Sequence, residues 1–207
     1  MLRFLYADQL PRHARLARSM FRDRALQFYH RHGWDVTVDA AGEERDDYDL
    51  LNPLYVVWER PDGLHGGSAR FLPTTGRTMV NDHFRHLIGG GTLVSPFIWE
   101  CTRFCLTPGG DGGRIASALM LGGGELMRAF GLTHFVGVFD APMIRAYRHM
   151  GAVPDVLGSA KGISVGLWEH DARTRDTLAG RAGIAAQTAT DWFDAAFAPA
   201  EPVRLTA

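Results

Sequence analysis

Lysine is nearly absent from this 207-residue chain. Lys161 stands alone, and arginine supplies the other 21 basic residues. They are balanced by 23 acidic residues, which leaves a formal net charge of −1. Because proteins that bind nucleic acid through its phosphates carry a basic surface, the composition gives no support to a nucleic-acid partner.

Cysteine is also scarce. Cys101 and Cys105 fall on one predicted strand, where strict alternation would place both on the same face. Two thiols in that setting indicate buried cysteines and not a disulfide framework. They supply too few ligands for a metal site, and the nine histidines form no ligand-like cluster, so no metal is expected.

Long hydrophobic runs are missing as well. No apolar stretch approaches the roughly 20 residues that a membrane-spanning helix requires, and the apolar residues 1–6 are too few for a signal peptide. The sequence therefore predicts a cytoplasmic protein without a membrane span. Its length and its 46% hydrophobic content suit a single domain over residues 1–207.

The most informative stretch is residues 96–106, Pro-Phe-Ile-Trp-Glu-Cys-Thr-Arg-Phe-Cys-Leu. Its aromatic, β-branched and cysteine content predicts a buried strand, which Glu100 and Arg103 interrupt. Charges in such a strand are costly unless they are paired or face a cleft. Residues three apart point to opposite faces, so these two share a cleft only if a bulge or splay breaks the pleat. A core strand with a structural ion pair is the alternative.

Apolar patterns predict the remaining elements. Strands are expected at residues 1–6, 54–58, 66–72, 133–139, 153–157 and 163–168, and helices at 8–31, 80–87, 115–130, 142–149 and 171–197. The turn signal Pro61-Asp-Gly63 joins the second and third strands into a hairpin. Strands and helices mixed in this order indicate an α+β fold, a sheet covered by helices.

Two loops each admit two interpretations. Residues 38–52 are acidic, which is typical of a solvated surface loop and also of a loop that presents carboxylates to a cationic ligand. The glycine-rich residues 109–113 precede a helix and would be able to hold a phosphate through backbone amides. They lack the lysine and hydroxyl residue of a nucleotide-binding loop, so a flexible connection is the favoured interpretation.

Five short motifs occur in order between residues 24 and 104. They are Arg24-x-x-x-Phe28, Trp34, Asp46-Asp-Tyr-Asp49, Arg70-Phe-Leu-Pro-Thr-Thr-Gly76 and Trp99-Glu100-x-x-Arg103-Phe104. Taken together, this series resembles the acyl-homoserine-lactone synthase family, the bacterial autoinducer synthases. Beyond residue 106 the resemblance is looser and rests on the order of elements and on residues 143–151.

The resemblance implies a fold similar to that of the Gcn5-related N-acetyltransferases, in which a splayed central strand pair forms the acyl-donor cleft. It implies a reaction between S-adenosylmethionine, a substrate and not a cofactor, and an acylated acyl carrier protein or acyl-CoA. The methionine amine attacks the thioester to form an amide. The substrate carboxylate then displaces methylthioadenosine and closes the lactone.

Motif position also implies the roles of individual residues. Glu100 is expected to be the general base, acting through a water molecule, with Arg103 beside it in the catalytic centre. The expected S-adenosylmethionine site comprises Arg24, Phe28, Trp34, Asp46, Asp49 and Arg70. Carboxylates suit the ammonium and sulfonium of that substrate, arginines suit its carboxylate, and aromatic faces suit its cation.

The acyl donor is the least determined part of the prediction. Arg145 and Arg148 lie three apart on a predicted helix and so share a face, and Lys161 follows in the next connection. These three would form a basic docking patch for an acidic carrier protein. An ordinary solvated helix surface is the alternative.

Two departures from the family pattern matter. Val136, Gly137 and Val138 stand where members that make 3-oxoacyl products tend to carry threonine, which favours an unsubstituted acyl chain. Residues 109–113 differ from the pyrophosphate loop of true acetyltransferases. A coenzyme A-dependent N-acetyltransferase and a non-catalytic module that binds S-adenosylmethionine remain the competing functions.

Overall fold

One mixed sheet forms the centre of the protein. The computed structural model describes residues 1–109 and 111–198, so the predicted domain end at residue 207 lies outside the described residues. The strands are β1 Leu2–Tyr6, β2 Leu54–Glu59, β3 His65–Pro73, β4 Ile98–Leu106, β5 His134–Asp140, β6 Asp155–Ala160 and β7 Ile163–Trp168. Their spatial order is β1-β2-β3-β4-β5-β7-β6, and all neighbours are antiparallel except the central pair β4 and β5.

Within the described residues, six α-helices connect or cover these strands. They are α1 Ala14–Arg24, α2 Met79–His83, α3 Gly112–Phe130, α4 Ile144–Met150, α5 Ala172–Ala182 and α6 Ala186–Phe197. Over residues 1–109 and 111–198, no helix is long and apolar enough to cross a membrane. The predicted α+β class is confirmed.

Alternation along β2 decides which helices cover each face of the sheet. Leu54 and Val56 belong to the large core cluster that contains the buried residues of α3, α5 and α6. Tyr55 and Val57 pack with α1 on the opposite face. The sheet is therefore covered on both sides, and side chains of neighbouring residues reach different layers.

The two longest helical predictions were too simple. The predicted helix 8–31 begins as the 3-10 helix Ala7–His13, which contains Pro11, and ends as a π-helical turn, Ala25–Arg31. The predicted helix 171–197 divides into α5 and α6 because Gly183 ends α5 in the left-handed region, at φ 64°. Glycine adopts that conformation readily, and it is a common helix terminator.

A bulge in β4 determines where its charged residues point. Thr102 pairs with Arg70 and Cys105 with Ser68, so two β4 residues, Arg103 and Phe104, stand opposite the single residue Ala69. Arg103 has a left-handed backbone, with φ 51°. The extra residue breaks the pleat and brings Glu100 and Arg103 to the same face, as the sequence required of any shared cleft.

The same bulge corrects the prediction for the cysteines. Thr102 and Cys105 share a face across the bulge, so Cys105 lies opposite to Cys101. Strict alternation failed here because it holds only for an unbroken pleat. Both thiols are free, as expected.

The central strands separate after a short parallel contact. β4 and β5 pair only from Ile98 with His134 to Cys101 with Gly137. Beyond that point β4 continues against β3, and β5 continues against β7. The predicted splayed strand pair is present, and it opens a gap in the middle of the sheet.

Candidate active site

A buried ion cluster lies on the α1 face of the sheet, beside the bulge. Its members are Arg24, Arg70, Arg103, Glu44, Asp46 and Asp49, three cations and three carboxylates. Arg24 of α1 donates from Nε to Oε2 of Glu44 at 2.6 Å and from both Nη atoms to Asp49 at 3.0 and 2.9 Å. Arg24 and Asp49 therefore compensate each other in a bidentate pair.

The other two arginines complete the cluster from the strands. Arg70 of β3 donates to both Asp46 and Asp49, and its Nε donates to Thr102 Oγ1 at 3.0 Å. Arg103 donates to Glu44 Oε1 at 3.0 and 3.1 Å and lies 2.7 Å from Asp46 Oδ2. Asp46 has the most exposed side chain of the six, at 19%. It is thus the member most able to meet a ligand.

The acidic loop is partly solvated and partly buried. Nine of the fifteen residues 38–52 are exposed, as expected of a surface loop, whereas Glu44 is fully buried and Tyr48 is 5% exposed. The surface-loop interpretation was incomplete because Glu44, Asp46 and Asp49 pair with arginines of α1, β3 and β4. Within the ion cluster, the partly exposed Asp46 is the carboxylate for which the alternative, a contact with a cationic ligand, stays open.

Mutual pairing fixes the charge state of the cluster. Burial alone would raise the pKa of Asp49, but Arg24 and Arg70 outweigh it and hold that pKa well below its ordinary value of 3.8. Burial alone would lower the pKa of Arg24, but the adjacent Asp49 and Glu44 outweigh it, and the net effect raises that pKa above its usual value. Arg24, Arg70 and Asp49 are therefore ionised at neutral pH.

Aromatic side chains form a wall next to Arg103. Phe28 lies in the π-helical turn, and Trp34 stacks on it with ring centroids 5.0 Å apart and planes 2° from parallel. The backbone amide of Trp34 donates to the Phe28 carbonyl at 2.8 Å, which holds the stack in place. Arg103 lies over the Phe28 ring, with its guanidinium carbon 5.5 Å from the ring centroid.

Glu100 occupies a different environment from the one predicted. Its carboxylate accepts the backbone amides of Met79 at 2.9 Å and Val80 at 2.6 Å, at the start of α2. It is 1% exposed and does not line the neighbouring cavity, whereas Met79 does. Burial raises its pKa to about 7, although the two amide donors act to lower it. That pKa suits a general base, whereas the contacts suit an anchor for α2.

A cavity of about 590 Å³ passes through the gap between β4 and β5. On the α1 side it is lined by Phe28, Trp34 and Arg103, and on the opposite side by Leu119, Gly123 and Met127 of α3. Further wall residues are Cys101, Phe104, Phe135, Tyr147, Trp168 and His170. One end is thus charged and aromatic, and the remainder is largely apolar, at a volume typical of small-molecule sites.

The predicted threonine position lies on this cavity. Gly137 and Val138 line it, whereas Val136 does not. Val136 and Val138 share the face of β5 that packs with Val80 of α2, and Gly137 lies on the opposite face. A Cβ on Gly137 would lie 3.1 Å from the Trp168 ring and 3.2 Å from the Cys101 carbonyl oxygen. No hydroxyl-bearing residue from this strand segment reaches the cavity.

The predicted docking residues lie at the far edge of the sheet. Arg145 and Arg148 are exposed on α4, and Lys161 is exposed in the β6–β7 turn. The amide of Ala141, just before α4, donates to the Gly162 carbonyl of that turn at 2.8 Å. This bond ties the turn to the start of the helix, while the docking role itself stays a prediction. The proposed phosphate loop, 109–113, includes Gly110, which lies outside the described residues.

Several site residues were missed by reading the sequence. Glu44 was treated as one of many loop carboxylates, and Met79, just before the predicted helix 80–87, was not singled out. Thr102 gave no signal beyond its place between Glu100 and Arg103. The α3 wall was predicted only as an apolar helix, because the gap it covers depends on which strands separate.

Comparisons with known proteins agree with this geometry. The fold is similar to that of an acyl-CoA N-acyltransferase from Pseudomonas aeruginosa, which matches with a TM-score of 0.54 at 14% identity, over 82% of this chain and 99% of that one. A model of the autoinducer synthase family matches residues 8–166. The chain belongs to this family.

Individual relatives support the assignment. An acyl-homoserine-lactone synthase from Rhizobium etli is 41% identical over 188 residues, 86% of this chain and 88% of the relative. The structure of the AHL synthase LasI matches with a TM-score of 0.76 at 26% identity, over 87% of this chain and 94% of that one. The CoA-dependent synthase BjaI, solved with SAM and isopentyl-CoA, matches in fold with a TM-score of 0.78 at 22% identity, over 89% and 90%. The predicted resemblance, fold and enzyme class, an acyl-homoserine-lactone synthase, are confirmed.

Proposed function

We propose that this enzyme transfers an acyl chain from a thioester to the amine of S-adenosylmethionine and then closes the homoserine lactone. One observation carries the proposal: a single cavity joins a charged aromatic end to an apolar end through the sheet. S-adenosylmethionine suits the first end, and a hydrocarbon chain suits the second. The gap between β4 and β5 is where the two substrates would meet.

The reaction balances without an external oxidant or reductant. The amine loses a proton as its nitrogen bonds to the thioester carbonyl, and the carbon–sulfur bond breaks to release a thiol. The carboxylate oxygen of the amide product then attacks the carbon next to the sulfonium. That carbon–sulfur bond breaks with its electron pair on sulfur, so neutral methylthioadenosine leaves.

Binding of S-adenosylmethionine is assigned to the cavity mouth. Phe28 and Trp34 offer faces to the sulfonium region, where a cation–π contact is worth about 0.5–2 kcal/mol. Asp46, partly exposed, would accept the ammonium, and Arg103 would approach the carboxylate. Arg24 and Asp49, predicted as contacts, are committed to each other, and we assign them with Arg70 to the framework that orients the other groups.

Glu100 is assigned a positioning role. Through its two amide acceptors it holds Met79, whose sulfur lies 3.4 Å from Arg103 Nη1 and whose side chain lines the cavity. The alternative, a general base that acts through water, stays the sequence prediction. The two roles give different pH profiles and are separated by the Gln variant described below.

The acyl donor is proposed to be an acylated carrier protein that docks at Arg145, Arg148 and Lys161. Carrier proteins are acidic, and this patch is basic in a chain of nearly zero net charge. An acyl-CoA is the other candidate, because relatives of the same fold are CoA-dependent.

Product analysis tests the proposal. Purified protein is incubated with S-adenosylmethionine and an acyl thioester, and lactone and methylthioadenosine are quantified by mass spectrometry. We expect both products in equal amounts. Acyl transfer to another amine without S-adenosylmethionine would indicate an ordinary N-acyltransferase. Binding of S-adenosylmethionine without methylthioadenosine release would indicate a binding module.

A further inference from the structure

His170 lies at the α3 end of the cavity, opposite to the end that Trp34 lines. It lies two residues after Trp168, which ends β7 and packs in the core with α3. Both side chains line the cavity, together with Gly124 of α3. The cavity thus ends at a residue that no motif singled out.

The imidazole fits into a notch that glycine creates in α3. A Cβ on Gly124 would fall on the ring atoms Nε2, Cδ2 and Cε1 of His170. The adjacent Gly123 also has no space to spare, because its Cβ would lie 3.2 Å from Phe135. The His170 ring therefore occupies a space that an alanine at position 124 would fill.

The region behind the ring is charged. Glu125 of α3 is buried and accepts from Arg128 at 2.8 Å and from Arg175 at 3.3 Å. Glu125, Arg175 and Asp171 all act on the pKa of His170, while burial, the largest effect, lowers that pKa to about 4 and keeps the ring neutral. An apolar chain that passed the ring would meet these charges.

Polar contacts do not explain why a histidine stands here. Its Nε2 is buried and has no hydrogen-bond partner among residues 1–109 and 111–198. A buried polar atom left without a partner costs free energy, so the ring is not retained for a bond within the protein. Its position at the end of a substrate-sized cavity gives it a steric role instead.

We infer that His170, seated on Gly124, is the stop that sets the longest acyl chain this enzyme accepts. The inference rests on the proposed acyl site. It concerns chain length, which the sequence left undetermined. A methylene that fits or fails to fit an apolar pocket changes kcat/KM by about 10- to 200-fold.

Two substitutions move the stop in opposite directions. His170→Ala removes the ring and should extend the longest accepted acyl chain by at least two carbons. For a thioester two carbons longer than the wild-type limit, kcat/KM should be at least tenfold higher in the variant than in the wild type. Gly124→Ala should push the ring into the cavity and shorten the limit. His149→Ala, an exposed histidine on α4, and Gly180→Ala, whose Cβ would meet open space on α5, are matched controls and should leave the limit unchanged.

The experiment uses a series of straight-chain acyl pantetheines with S-adenosylmethionine, in full-length protein. Lactone formation gives kcat/KM at each length, and calorimetric titration of the thioester without S-adenosylmethionine gives Kd without turnover. Opposite shifts in the two variants support the inference. An unchanged limit in His170→Ala, in both kinetics and binding, would overturn it. Absence of lactone at every length would contradict the proposed function alone, since the binding series still locates the stop.

Discussion

At the scale of single residues, the site depends on six charges that compensate one another away from water. Each arginine of the ion cluster reaches at least two carboxylate groups, and each carboxylate reaches two arginines. Such an arrangement is tolerated in a low-dielectric interior only while it is complete. Replacement of a single member should therefore lower the free energy of unfolding, whether or not that residue takes part in the reaction.

Asp49→Asn should lower the free energy of unfolding by about 3–5 kcal/mol, because it leaves buried arginine charge without a partner. Asp49 has a depressed pKa, so its contribution is present above pH 3.8 and is lost as the pH falls further. The deficit of the variant should shrink accordingly in acid. Urea titrations at several pH values measure both effects.

Asp47→Asn is the matched control, since Asp47 is the exposed neighbour in the same loop. It should change stability by less than about 0.5 kcal/mol. Equal unfolding midpoints for the Asp49→Asn variant and the wild type would show that the cluster is not a stability element.

Glu100→Gln separates the two roles of Glu100. The pKa of about 7 lies above the ordinary 4.5, so the group destabilises the fold progressively as the pH rises from 4.5 to 7. Over that range the free energy of unfolding of the wild type should fall by about 3 kcal/mol, whereas that of the Gln variant should not show this fall. A positioning role predicts a folded variant with at most about tenfold lower kcat/KM and an unchanged pH profile.

A general base predicts a different result. The folded Gln variant would lose about 100- to 10,000-fold in rate, and the acidic limb of the kcat/KM profile would disappear with it. Glu100→Ala, which removes both acceptors from the amides of Met79 and Val80, should in either case destabilise α2. The two variants therefore distinguish a role of Glu100 as a general base from a role in positioning α2.

At the scale of elements, the site is built from irregularities more than from regular structure. Arg103 reaches the ion cluster because of the β4 bulge, and Trp34 meets Phe28 because α1 continues into a π-helical turn. Both kinds of irregularity occur frequently at functional sites. The strands and helices that carry them are ordinary.

This explains how far the sequence could be read. Aromatic and β-branched content predicted β4, and the charges at Glu100 and Arg103 predicted that its pleat must break. The position of the break was beyond the sequence, since it depends on pairing with Ala69 in β3. The acidic loop was predicted only in part: its composition fits a solvated loop, which most of its residues are, and only the folded chain places three arginines beside Glu44, Asp46 and Asp49.

A prediction at this scale concerns α4. Arg145→Glu together with Arg148→Glu should raise KM for an acylated carrier protein by about tenfold or more, with kcat little changed, because the partner surface is acidic. Added salt should mimic the effect, since exposed charges are screened beyond about 8 Å at physiological ionic strength. Steady-state kinetics with carrier-bound and CoA-bound acyl chains measure this.

Arg173→Glu with Arg181→Glu is the control, an equal charge change on exposed positions of α5. It should leave the KM for the carrier near the wild-type value. Equal impairment of the α4 variant with both donors would contradict docking at α4. Equal effects of the two double variants on KM would show that the net charge of the protein matters and the position of the arginines does not.

At the scale of the whole molecule, the sheet acts as a partition with one opening. α1 and the acidic loop build the charged side, α3 and α5 build the apolar side, and the separation of β4 from β5 connects them. Family membership gives the reaction class, and we propose that the opening is where substrates of such different polarity meet. The central claim is that they meet across the sheet.

Gly137→Val tests that claim most directly, because Gly137 is the last residue of β5 that pairs with β4 and it lines the cavity. Its Cβ would lie 3.1 Å from the Trp168 ring and 3.2 Å from the Cys101 carbonyl oxygen, so the added side chain should narrow the passage at a point where the nearest atoms belong to neither the ion cluster nor Trp34. The measurement is Kd for S-adenosylmethionine by calorimetry beside kcat/KM for a long acyl thioester. We predict a Kd within about threefold of the wild type and a loss of at least tenfold in kcat/KM. Undiminished lactone formation in the Val variant would contradict a meeting of the substrates through the sheet.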